Sequence, residues 1–199
     1  MSSKKSRTFD MSRRSLLRKS AATTVMLGIG IPAFSGSAAA TNCARTPGYW
    51  MNHDWYPGPP ADPTALEQVN KKVPGVYFPT VEDGQAFLKA PAKGDKGHIM
   101  ATHLVAFVIN NQAAYHPCVT TPVVDVGYGK EPINKVVSYA RQWLDASGWT
   151  YGNGTKLTSW YVDGVPVSNG EMLKNIIDEF NNNRIDVDDV DCPCYNYND

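Results

Sequence analysis

Two short runs carry the residues best suited to chemistry, His116-Pro117-Cys118 and Cys192-Pro193-Cys194. A third stretch, CARTPGYWMNHDW, places Cys43 ten residues before His53. Thiolate and imidazole are ligands for zinc and copper, so His53, His116, Cys118, Cys192 and Cys194 form one candidate set, for a metal-dependent redox or hydrolytic protein. The spacing is not the C-x2-C of the common zinc folds. Cys43, Cys118, Cys192 and Cys194 are also an even number of cysteines, which in an oxidising compartment suits two disulfides. A bridge from Cys192 to Cys194 closes a small, strained ring. Cys43 and Cys118 are therefore expected each to reach one member of the Cys-Pro-Cys pair, in either order. Bridges closing such long loops contribute about 2–4 kcal/mol each.

The compartment follows from the amino-terminal residues. Basic residues lead into SRRSLLRKS, with twin arginines Arg13 and Arg14 followed by Leu16 and Leu17, and then into the apolar run AATTVMLGIGIPAF. Ala38 and Ala40 supply an A-x-A cleavage pattern, so residues 1–40 read as a twin-arginine signal peptide, with a mature chain beginning near Thr41. The apolar run is shorter than the ~20 residues that span a bilayer, so no membrane anchor is expected after cleavage. The twin-arginine translocase is the partner during export, and the expected location is secreted, extracellular or at the cell surface. Residues 41–199 hold twelve basic against eighteen acidic residues, a formal charge of −6, with no basic stripe. Nucleic acid and anionic membrane are poor partners for such a surface.

The aromatic stretch admits two uses. Tyr49, Trp50, Trp55 and Tyr56, with Asn52 and His53 as polar contacts, can form a shelf for a sugar face or a prolyl segment. The same rings, buried, can pin the amino-terminal segment to the core while Asn52 and His53 fasten loop backbone. Enzyme signatures are absent from the sequence: there is no G-x-S-x-G elbow, H-E-x-x-H helix, phosphate loop or dinucleotide fingerprint. Asp54 and Asp95 are a carboxylate pair only if the fold brings them together. His98 and His103, five residues apart on one expected helix, diverge by roughly 140° and do not easily share an ion. The tail segment DVDDVD lacks the glycine and closing glutamate of an EF-hand loop and reads as a solvated acidic run. Asn153-Gly154-Thr155 matches a glycosylation acceptor.

The elements that must position these residues are mainly helical. Residues 95–112 carry Ile99, Met100, His103, Leu104, Phe107 and Val108 at three- and four-residue intervals behind a capping Asp95, with Asn110 and Asn111 marking the end. A helix over 132–147 starts at Pro132 and stops at Gly148. A third follows a Ser168–Glu171 capping box. Shorter helices are expected over 63–72 and 82–89. Asp163-Gly164, between Ser159–Val162 and Val165–Val167, signals a β-hairpin. The fold class is thus mainly α (α+β): one compact, disulfide-stapled domain over 41–199, with a small antiparallel hairpin and an acidic carboxyl-terminal tail.

Thr46–His53, TPGYWMNH, resembles the T-P/Q-G-Y/F-W-K-N-H signature near the start of a family of exported bacterial and archaeal domains. The resemblance continues through Gly94-Asp95 opening an apolar helix that ends at Ile109-Asn110, and through a later Trp143-Leu144 helix, covering positions 43–150. Gly48, Tyr49, Trp50, Asn52 and His53 match the signature, and Met51 stands where it has lysine. The resemblance implies export and a helical domain, and it implies no activity. The function expected from the sequence is an exported, non-enzymatic module binding a cell-surface protein or a glycan. The alternative is the metal-dependent protein above. Intact mass of exported protein is expected to fit a chain starting near Thr41 and four hydrogen masses lighter than its reduced form. A metal adduct on a fully reduced chain would favour the alternative.

Overall fold

The computed structural model describes residues 44–55, 64–112, 123–125 and 129–182. They form α1 (Pro47–Trp50), α2 (Ala65–Lys72), α3 (Val81–Lys89), α4 (Lys96–Gln112), β1 (Val123–Asp125), β2 (Lys130–Pro132), α5 (Ile133–Ala146) and α6 (Gly170–Asn181). The mainly helical expectation holds, and the small antiparallel pair is present. All four cysteines, with Tyr56 and His116, lie outside the described residues.

Local chemistry sets most helix starts. Thr64 and Glu67 form a reciprocal capping box for α2, and Thr80 and Asp83 do the same for α3. Asp95 caps α4 through Oδ1, which accepts from the backbone N–H of Gly97 (3.0 Å) and His98 (3.3 Å). Thr46 caps α1, and Pro47 occupies its first turn. The cap of α6 is Asn169 rather than Ser168: Asn169 Oδ1 accepts from Glu171 N and Met172 N. Ser168 is held one step outside the helix because its carbonyl accepts from Val162 N and from the Trp143 indole.

The two-stranded sheet is not where the sequence signal placed it. It pairs β1 with β2, Val124 opposite Glu131. Around Asp163-Gly164 the chain does reverse, with Gly164 at φ +79°, but among the described residues the bridge formed there is Tyr161 to Asn169 alone. A tight two-residue hairpin would pair Val162 with Val165, and the next residue, Pro166, has no N–H to extend the ladder. The reversal therefore closes on a wider loop.

α4 is the centre. It packs against α1, α2, α5 and α6, and Met100, Ala101 and every residue from Leu104 to Asn110 are buried. A helix apolar on nearly all sides belongs inside a core. α5 presents Ile133, Val136, Val137, Ala140, Trp143 and Leu144 to this core, and α6 presents Leu173, Ile176, Ile177 and Phe180.

Three tryptophan rings lie flush on helix glycines. Trp55 covers Gly84 of α3, Trp149 covers Gly97 of α4, and Trp143 covers Gly170 of α6, each so closely that a Cβ would overlap the ring. The glycines are there for approach distance, since alanine is the better helix former by about 1 kcal/mol. Gly97→Ala is expected to lower stability by roughly 2 kcal/mol, because overpacking against Trp149 outweighs the propensity gain. Chemical denaturation checks this; a stabilised variant would mean that the Trp149 ring yields.

Candidate functional site

The amino-terminal motif is held by one buried amide. Asn110 Oδ1 accepts from the Trp50 indole N–H (3.0 Å) and from Arg45 N (2.8 Å). Asn110 Nδ2 donates to Arg45 O (2.9 Å) and to Asn181 Oδ1 (3.0 Å). Asn181 Nδ2 then donates to His103 O (3.1 Å). Asn110 and Asn181 are fully buried, so this chain joins α1, α4 and α6 in a medium where an unmade hydrogen bond is costly. The sequence presented Asn110 only as a helix end; no local signal marks it as a hub.

Burial divides the motif residues. Trp50 is 1% exposed and Trp55 3%, and the Trp55 indole donates to Trp50 O (3.1 Å). Their ring faces lie in the core and offer a ligand no surface. The outward part is Tyr49, half-buried and stacked on His53 at 3.8 Å, with the Arg45 guanidinium 5.1 Å from the Tyr49 ring centre. His53 Nδ1 lies 2.8 Å from Tyr49 O; a carbonyl only accepts, so Nδ1 carries the proton. Asn52 Nδ2 donates to Gly48 O, and Gln85 Nε2 donates to His53 O. Asn52 and His53 thus fasten loop backbone.

An open cleft lies at the other end of α4. It has a volume of about 290 Å³ and is lined by Lys93, Asp95, His98, Trp149, Tyr151 and the 152–156 loop. Asp95 is its buried floor, with every oxygen occupied: beyond the two capping bonds, Oδ1 accepts from Leu157 N (3.1 Å) and Oδ2 from the Trp149 indole (2.9 Å). Asp54, by contrast, is exposed. Lys96 N donates to Leu157 O and Tyr151 N to Gly75 O, so the loop carrying Tyr151 is tied down on both sides. Tyr151 is 41% exposed and makes edge contacts with Phe78, Phe87 and His98.

His98 and His103 sit in different settings, as their angular separation required. His98 stacks on Phe87, and its Nε2 donates to Phe87 O (3.3 Å). Burial pushes its pKa down against the opposing pull of the Phe87 carbonyl and the Asp95 charge. His103 Nδ1 is 3.5 Å from Asp178 Oδ1 but not aimed to bond it, and Lys174 Nζ also lies 3.5 Å from that carboxylate. Burial again dominates, lowering His103 to about 4 despite Asp178, with Lys174 adding to the depression. Among the described residues, no group of three or more His, Cys, Asp or Glu side chains is arranged to hold a metal, and no helix is long and apolar enough to cross a membrane.

Comparisons with protein-family models, with curated proteins and with solved structures give no match. The reading of the site therefore stands on its geometry.

Burial lowers the pKa of both His98 and His103, so below the ordinary value of 6.5 the unfolded chain binds more protons than the fold. Stability is fully present above that value and is lost as pH falls below it, for His103 down to about 4, by at most about 1.4 kcal/mol per pH unit. Denaturant midpoints between pH 7 and pH 4 should show this slope, and His103→Gln should flatten it. An unchanged slope in that variant would assign the effect elsewhere.

Proposed function

We propose that the chain is an exported, extracellular or cell-surface binding module without catalytic activity, and that the cleft beside Tyr151 takes a glycan. The observation that carries this reading is the pinned loop: Tyr151 presents a partly exposed ring at the edge of an open cleft, on a backbone fastened to Asp95 and Gly75. An aromatic face suits the C–H face of a sugar, and Lys93 and Lys156 suit an acidic group on it. Preorganisation favours binding, because little loop entropy remains to be lost. The groups in the cleft with acid–base potential, Asp95 and His98, are both engaged in backbone hydrogen bonds, which suits a scaffold role. A cell-surface protein is the other partner class of this reading.

Export by the twin-arginine route and a disulfide staple belong to the same proposal. Cys43 directly precedes Ala44, which is buried at the edge of the core, so a bridge from Cys43 would anchor a segment already seated. The resemblance of TPGYWMNH to the signature of exported domains supports the same location.

A glycan array probed with the purified protein tests the ligand. Binding to at least one acidic oligosaccharide is expected, reduced roughly tenfold, about 1.4 kcal/mol, in Tyr151→Ala. Because Tyr151 also packs on Phe78 and Phe87, the surface double variant Lys93→Gln/Lys156→Gln is the companion, expected to lose acidic ligands with an unchanged melting temperature. Capture that survives both changes would move the site away from this cleft.

A further inference from the structure

The sequence contains a single Asn-X-Ser/Thr pattern, Asn153-Gly154-Thr155, and the fold sets it on the outer loop of the cleft. We propose that Asn153 is an acceptor for N-linked glycosylation of the already folded chain, with a lipid-pyrophosphate-linked oligosaccharide as donor. Every residue from Thr150 to Lys156 is exposed. Gly152 and Gly154 both have positive φ, +84° and +78°, and a Cβ built on either meets nothing within 4 Å. The loop therefore stands clear of the body at its tip, although its ends are tied to Asp95 and Gly75.

Both acceptor residues, Asn153 and Thr155, are exposed. Asn153 Oδ1 accepts from Thr155 N (2.8 Å), which fixes the amide plane in an Asx turn. Asn153 Nδ2 and the Thr155 hydroxyl, the two groups that a transferase must reach, have no partner among the described residues. In the transfer, Nδ2 attacks the anomeric carbon of the donor sugar. The carbon–oxygen bond to phosphate breaks and its electron pair leaves with the lipid pyrophosphate. One amide proton passes to a base of the transferase, leaving an N-glycosidic bond. The export reading gives this site its occasion: a twin-arginine substrate reaches the exterior folded, so only a sequon accessible in the native fold can be used there. Occupancy would also place a sugar at the mouth of the cleft.

The test incubates the folded, full-length mature protein with a purified single-subunit oligosaccharyltransferase and its lipid-pyrophosphate-linked oligosaccharide. A reference sequon peptide serves as internal control, and intact mass is the readout. One glycan mass per chain is expected, absent in Asn153→Gln and in Thr155→Ala and retained in Thr155→Ser. Melting temperatures near wild type in these loop variants keep the comparison valid. A chain left unmodified while the reference peptide is consumed overturns the proposal, as does glycan addition to Asn153→Gln. The readout is covalent mass, so acceptance stands or falls independently of ligand capture by the cleft.

Discussion

A helix buried on nearly every side cannot leave its polar ends to water, and α4 is such a helix. Its amino end is closed by the Asp95 carboxylate, which accepts from the backbone N–H of Gly97, His98 and Leu157 and from the Trp149 indole. Near its carboxyl end, Asn110 uses both its amide oxygen and its amide nitrogen to hold Arg45, Trp50 and Asn181. Each of these side chains recruits segments from far along the chain. The core is consequently organised by two polar fastenings as much as by apolar contact, and buried networks of this kind are unforgiving of partial loss.

The tryptophans apply the same rule at a finer scale. The buried indoles of Trp50, Trp55, Trp143 and Trp149 all find an acceptor, two in side-chain oxygens of α4's fastenings and two in backbone carbonyls. Three of these rings press on glycines where no other residue would allow the approach. Large rings contribute much buried area, and satisfied N–H groups remove the penalty that would otherwise accompany it. Trp149 links the two themes, since its ring lies on Gly97 while its nitrogen holds Asp95.

That linkage also shapes the cleft. The loop from Thr150 to Lys156 is exposed, yet it departs from Trp149 and returns at Leu157, both bonded to Asp95. Surface loops positioned by a rigid scaffold are the usual carriers of recognition. Here the same carboxylate that starts the central helix sets the mouth of the loop, so core stability and the geometry of the outward face are coupled through one residue.

Helices α4, α5 and α6 were legible in the sequence because apolar periodicity and stop signals are properties of neighbouring residues; even the Asp95 cap is a local matter. The cap of α6 was missed by one position, because Ser168 is claimed by Trp143, twenty-five residues away. The Asp163-Gly164 signal marked a reversal correctly but not its width, since strand pairing depends on which N–H groups face each other. Whether Trp50 and Trp55 were shelf or core was undecidable from spacing, and tertiary packing decided for core. Asn110 as hub and the cleft around Tyr151 had no local trace. Both arise from contacts across more than fifty residues, such as Arg45 to Asn110 and Asp95 to Trp149. Sequence alone determined the pieces and their buried faces, because those follow from short-range geometry. Only the folded chain determined which polar groups meet, because that depends on how the faces are brought together.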